Sequence, residues 1–294
     1  MSILFKTISM KINKISPQSN NFLKIIENID KKPERLYFIG KFPTDRPPVI
    51  AIVGSRKPTS YGKEITYRFA YDLAKRGIII ISGLALGIDS IAHRAAIDAG
   101  GITIAILASG LDKIYPASNK QLANLIIEKG GAIVSEYEPG VEPRDYRFLE
   151  RNRIVSGLSD AVLVTEAAAR SGTLSTVSHA LNQGKEIFAV PGNITSPLSV
   201  GCNNLIKQGA TLVTSYEDII ENAYPQLEIP TINLPLGNNR IQEKIIQLIE
   251  SGIRDGDELK SLIDCEIGDF LQNMTEMEIL GIIKPIGGNR WILK

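Results

Sequence analysis

The sequence is poor in cysteine, in long apolar runs and in net charge, and each shortage excludes something. Its 294 residues hold two cysteines, Cys202 and Cys265, far apart and without partners at metal-ligand spacing. That excludes a disulfide framework, gives no metal site, and suits a reducing compartment. No run approaches the roughly 20 apolar residues that span a bilayer. The opening MSILFKTISMKINK is broken by lysines and lacks an apolar core of signal-peptide length. A cytoplasmic, soluble protein with no membrane contact is expected. A net charge of +1 excludes a generally polycationic binder, so any nucleic-acid contact must come from a local patch. Neither G-x-x-x-x-G-K-[ST] nor, after the first core strand, G-x-G-x-x-G is present, which disfavours a P-loop ATPase and an NAD dehydrogenase.

What is present is an alternation of apolar runs and glycine turns. Val49 to Gly101 reads as strand, turn, helix, strand, turn, helix. Val49–Val53 is β-branched and apolar, and Gly54-Ser55-Arg56 breaks it. Ile65, Phe69, Leu73 and Ala74 then recur at helical spacing, and Gly77 stands where a helix C-terminal glycine belongs. Ile78–Ile81 is a second apolar run, followed by Ser82-Gly83. Strands apolar on both faces imply a parallel sheet covered by helices, with ligands beyond the strands' carboxyl ends. There Gly54, Gly83 and Gly87 allow close backbone approach, and the helix N-termini after the turns are expected to present unpaired N–H groups to an anion. Arg56 adds a forked donor where a phosphate would lie. Glycines that merely make tight turns are the plainer reading of any one of these.

The same alternation continues through apolar strands at 102–107, 132–135, 160–165, 186–190 and 210–214. Residues 1–48 read as an N-terminal lead-in with a short helix over 21–29 and a strand at 36–39. Residues 49–223 read as the Rossmann-like α/β domain. Pro225, Pro230 and Pro235 mark 224–238 as a stiff linker. Residues 239–294 read as three helices and a terminal hairpin, the layout of a winged helix. The third of those helices carries Ile267, Phe270, Leu271, Met274, Met277 and Leu280 on its apolar side.

Several motifs occur together and in order: GSRKPTSYG from Gly54, SGLALGID from Ser82 with His93 following, and the run Ser109–Asn119 containing Tyr115-Pro116. SEYEPG from Ser135, RNRIVSGLSD from Arg151, SGT from Ser171, VPGN from Val190 and GCNNLIKQGA from Gly201 complete the set. With these motifs the chain resembles the DNA-processing protein A (DprA or Smf) family, from about Leu36 to its end. The resemblance implies an extended Rossmann-like domain that binds single-stranded DNA, forms a homodimer and helps load the RecA recombinase in natural transformation. It implies no cofactor and usually no enzymatic activity. Too little chain precedes Leu36 for the N-terminal helical domain that many members carry. Phe148-Leu149 stands where Phe-Pro is expected.

For DNA contact the residues singled out are Gly54, Ser55, Arg56, Lys57, Gly83 and Gly87 on the turns, and Arg147, Phe148, Arg151, Asn152 and Arg153 on the next basic stretch. Ser171, Gly172 and Thr173 join them through the SGT match. Arg147 and Arg151 are spaced to share a helix face, and Lys57, Lys113 and Arg170 extend the positive patch. The competing reading has one of these arginines pair with Glu150 or Glu166 to brace the fold. Phe148 or Tyr146 offers a base-stacking face, with core packing as the plainer alternative. Leu205 and Ile206 are a possible dimer face, or core.

No catalytic residue is assigned. Asp89 and His93 lie one turn apart, but Asp89 suits a helix first turn, and His93 has no serine or cysteine at a recognisable spacing. Cys202 suits packing. The phosphoribohydrolases of similar fold carry PGG-x-GT-x-x-E, and Thr176 occupies the place of their catalytic glutamate, which leaves acid–base work without an agent. A nucleotide-binding sensor or phosphoribohydrolase-like enzyme using the same pocket is the alternative to a DNA binder. Residues 239–294 hold seven Lys/Arg against ten Asp/Glu, and the third helix has Asp269, Glu276 and Glu278 with no basic residue. That helix is therefore expected not to read duplex DNA.

Overall fold

In the computed structural model, which describes residues 11–227 and 239–293, two strands precede the apolar run at Val49: Asn13–Ile15 (β1) and Leu36–Gly40 (β2). The stretch expected as a mere lead-in thus builds one edge of the sheet. Its expected helix over 21–29 is a short 3-10 segment, Lys24–Asn28, which helps seat Phe22, Leu23 and Ile26 in the core with no exposure.

The alternating pattern then unfolds as Val49–Val53 (β3), Ser60–Lys75 (α1), Ile79–Ser82 (β4), Ile88–Asp98 (α2) and Thr103–Leu107 (β5). Lys120–Glu128 (α3), Ala132–Ser135 (β6), Asp145–Leu158 (α4), Ala161–Val164 (β7) and Thr173–Asn182 (α5) follow. Glu186–Ala189 (β8), Val200–Lys207 (α6), Thr211–Leu212 (β9) and Tyr216–Ala223 (α7) close the first unit. No side chain of β3 is more than 5% exposed, as a strand covered on both faces requires. Gly77, at φ 83°, ends α1 in the left-handed region where a Cβ would be strained.

The sheet runs β1-β2-β6-β5-β4-β3-β7-β8-β9. From β6 to β9 every neighbouring pair is parallel, while β1 and β2 are antiparallel. Successive strands move outward from β3 to β6, and the chain then returns to place β7 on the other side of β3. The order therefore reverses between β3 and β7, which makes the crevice beyond their carboxyl ends the switch point where open α/β sheets bind ligands. Tyr224, expected in the linker, is 1% exposed and donates its hydroxyl to the Val49 carbonyl at 2.8 Å. The first unit ends at Leu227, and residues 228–238 of the expected linker lie outside the described residues.

The second unit contains Arg240–Glu250 (α8), Gly256–Ser261 (α9), Ile267–Ile279 (α10), and the antiparallel pair Ile283–Pro285 (β10) and Trp291–Leu293 (β11). Asn239 and Asp255 cap α8 and α9 by accepting backbone N–H groups. Ile245, Ile249, Leu259, Phe270, Met274, Met277 and Ile283 form a core of their own. The apolar side expected for α10 divides: Phe270, Met274 and Met277 are buried, whereas Ile267, Leu271 and Leu280 are exposed. No described helix is long and apolar enough to cross a membrane.

Candidate functional site

A cleft of about 590 Å³ opens at the switch point, between the turn after β3, the turn after β4, one face of α4 and the loop leading into α5. Arg56, Lys57 and Arg170 stand exposed around its mouth with Asp145. Among the described residues no carboxylate lies within ion-pair distance of the three cations. The Arg56 guanidinium sits 5.3 Å above the Phe148 ring. Such a cation is held by the ring quadrupole yet keeps its N–H donors.

The floor is built differently. Arg151 is 4% exposed and donates Nη1 to the carbonyls of Gly83, at 2.8 Å, and Ile106. Asp89, 7% exposed, accepts the N–H groups of Gly83 at 3.0 Å and Ala85 at 3.3 Å. Burial raises the Asp89 carboxyl pKa against the charge of Arg151. Burial likewise lowers Arg151 to about 10, with Asp89 opposing, so its guanidinium stays charged at neutral pH. Both groups are tied to the backbone of the floor, and the exposed cations stand at the mouth.

Some of the backbone amides expected to face an anion already have partners inside the fold. The N–H of Thr59, at the start of α1, donates to the buried Glu166 carboxylate at 2.8 Å, and the Gly62 N–H donates to the Thr59 hydroxyl. The Ser55 N–H goes to the Glu166 carbonyl. A buried acid thus takes some of the amides at each turn: Glu166 accepts from Thr59 through its carboxylate and from Ser55 through its backbone carbonyl, and Asp89 accepts from Gly83 and Ala85. The exposed cations Arg56, Lys57 and Arg170 are the charged groups at the mouth that attract an anion. The glycines serve packing: a Cβ on Gly54 would stand 2.7 Å from the Glu166 carbonyl oxygen, and one on Gly83 would stand 2.5 Å from the Arg151 guanidinium. Gly87, at φ 81°, lies against the backbone of Ser55 and Arg56 and supports that turn from outside the cleft.

The structure brings most of the expected residues together. Gly54, Ser55, Arg56, Lys57, Gly83, Phe148, Arg151, Asn152, Ser171, Gly172 and Thr173 all line the cleft. Asn152 donates to the Ser175 hydroxyl at 2.9 Å, and Thr173 ties the loop before α5 to the Gly54 carbonyl at 3.0 Å. Two arginines stand elsewhere. Arg153 grips both oxygens of Glu136, at 2.7 and 2.6 Å, and donates Nε to the Lys31 carbonyl. Two residues along a helix is about 200° around it, so Arg151 and Arg153 point in opposed directions. Arg147 lies 5.3 and 5.4 Å from the rings of Tyr137 and Tyr146 and donates to the Glu142 carbonyl. Lys113 is paired with Glu142. The positive rim is therefore shorter than expected.

Phe148 is not an open platform either, since Arg56 and Arg151 lie 5.3 and 6.0 Å from its ring and Tyr115 approaches at 5.8 Å. Tyr115, half exposed, is a residue the sequence reading quoted in a motif without assigning. Among the described residues Glu166 braces no arginine; it holds the N–H and hydroxyl of Thr59. Leu205 is 7% exposed within the core and Ile206 packs beside it, so Leu205 offers no surface for a partner. His93 is fully buried, with Nδ1 2.6 Å from the Thr103 hydroxyl. Cys202 is 1% exposed, and burial pushes its thiol up to about 12. Thr176 lines the cleft where the hydrolases carry their glutamate.

Residues 13–224 match the family model described as DNA recombination-mediator protein A. The chain belongs to this family. It is 52% identical over 173 residues to Protein Smf of Escherichia coli, an overlap covering 59% of this chain and 46% of that one. The chain thus spans about half the length of this and several other curated relatives it matches. The X-ray structure of DNA processing protein A from Streptococcus pneumoniae superposes with a TM-score of 0.66 at 38% identity, covering 72% of this chain and 75% of that one. The Helicobacter pylori DNA processing protein A, whose structure was described for its single-stranded DNA binding mode, superposes with a TM-score of 0.65 at 32% identity. That match covers 75% of this chain and 99% of its counterpart.

Proposed function

We propose that the switch-point cleft binds the phosphate backbone of single-stranded DNA, and that the protein is a binding protein rather than an enzyme. The observation that carries this reading is Arg56: exposed, without a carboxylate partner among the described residues, and seated over Phe148 at the mouth of the cleft. Lys57 and Arg170 beside it make a row of cations that a chain of phosphates satisfies better than one small anion does. Thr176 in place of an acid, and Asp89 committed to two amides, leave acid–base chemistry without a free carboxylate at the floor. The remainder of the reading follows family membership: a homodimer in the cytoplasm that shields incoming DNA and helps load RecA during natural transformation. The three helices and hairpin of the second unit are read as a winged helix.

Fluorescence anisotropy tests the central claim. Oligo-dT binds the wild type with an affinity that falls on a log–log plot by roughly 0.7 per phosphate neutralised. Arg56→Ala weakens binding and lowers that slope by about one phosphate's worth. Mononucleotides binding at micromolar concentration, with no binding of oligo-dT, would instead establish the nucleotide-handling alternative.

A further inference from the structure

Helix α10 leaves large apolar side chains in water. Ile267 and Leu271, one turn apart on the same face, are 61 and 57% exposed, and Ile279 and Leu280 at the helix's end are 79 and 59% exposed; exposed apolar side chains that share a face mark a contact surface. Alongside it, α9, α10 and β11 enclose a groove of about 240 Å³ with Phe270 and Met274 beneath and Ile267, Leu271 and Trp291 at its sides. Asp257 and Glu278 stand on its lip, and Lys260 directs its ammonium toward the Ile263 carbonyl. Along α10 itself there are three carboxylates and no cation. Residues 239–294 carry net −3, whereas residues 1–238 carry +4.

These charges select the occupant. A nucleic acid meets carboxylates where it needs cations. Two such acidic modules placed groove to groove repel each other. A segment with apolar anchors at helical spacing, flanked by lysine or arginine, satisfies both the groove and its lip. We infer that this groove docks a basic amphipathic segment of a partner protein. The inference does not depend on what the switch-point cleft binds.

Trp291 is the only tryptophan of the chain and lines the groove, so its emission reports occupancy in the full-length protein. The probe is a synthetic peptide of roughly 18 residues with leucines at i, i+3, i+4 and i+7 and lysines elsewhere, set against a twin with glutamate for lysine. The expected result is an emission shift with the lysine peptide alone. Leu271→Ser and Glu278→Lys, both at exposed positions, each weaken its binding by roughly tenfold or more and leave oligo-dT affinity unchanged. Equal binding of the glutamate twin would overturn the inference, as would wild-type affinity in both variants or no response to either peptide. So would quenching of Trp291 by duplex DNA, or Leu271-dependent self-association in sedimentation.

Discussion

His93 shows how a single buried group ties the stability of the fold to pH. Burial, reinforced by the Arg151 charge, lowers its pKa to about 3, against about 6.5 in an unfolded chain. Nδ1 meets the Thr103 hydroxyl, and Nε2 has no partner among the described residues. Between pH 6.5 and 3 the unfolded chain therefore binds the extra proton. This contribution to stability is fully present above pH 6.5 and is lost as the pH falls below it, by about 1.4 kcal/mol per unit. The raised Asp89 carboxyl acts in the opposite sense, because its native state takes up a proton the more readily. Urea titrations at pH 7 and pH 5 are expected to differ by about 2 kcal/mol from the histidine. His93→Gln, whatever its absolute stability, removes that dependence; equal slopes in the two proteins would mean the ring is charged inside the fold.

At the scale of elements, α4 separates what the sequence writes together. Arg147, Arg151 and Arg153 fall within seven residues, yet one lies between two tyrosines, one under the cleft, and one against Glu136 at the back. Arg153→Ala is expected to leave the salt dependence of oligo-dT binding at its wild-type value, because that guanidinium meets no phosphate. It costs stability instead, about 2 kcal/mol or more, since a paired and largely buried bidentate contact is lost. A flattened salt slope would return Arg153 to the DNA surface. The strands were legible because unbroken apolar runs admit few other arrangements, and β3 begins and ends where its run of five apolar residues does. The glycine turns were legible for the same local reason. The grip of Glu166 on Thr59, the cap of α1, was not, because the two lie 107 residues apart. Nor were β1 and its pairing with β2, which depend on a sheet edge that no local pattern announces. On α10 the periodicity named the apolar residues correctly but had no means of telling a core from an open groove.

The whole molecule is two units with opposite net charge and separate hydrophobic cores. The larger unit packs apolar clusters against both faces of a nine-stranded sheet, while the smaller rests on three helices and a hairpin, a size at which a domain buries proportionately less apolar surface. Unfolding of such a chain is not expected to be two-state. Calorimetry is expected to show two heat-absorption peaks, the smaller unit melting first. Saturating oligo-dT makes the distinction sharper, since a ligand stabilises only the unit that binds it. At a hundred times its dissociation constant the gain is about 2.7 kcal/mol, which for a unit of this size moves the upper peak by roughly 5–10 °C. The lower peak is expected to stay where it was, because the second unit's net negative charge disfavours phosphate contact. A shift of the lower peak alone would move the DNA site to the second unit, and a rise of both together would mean that DNA engages the two units as one surface.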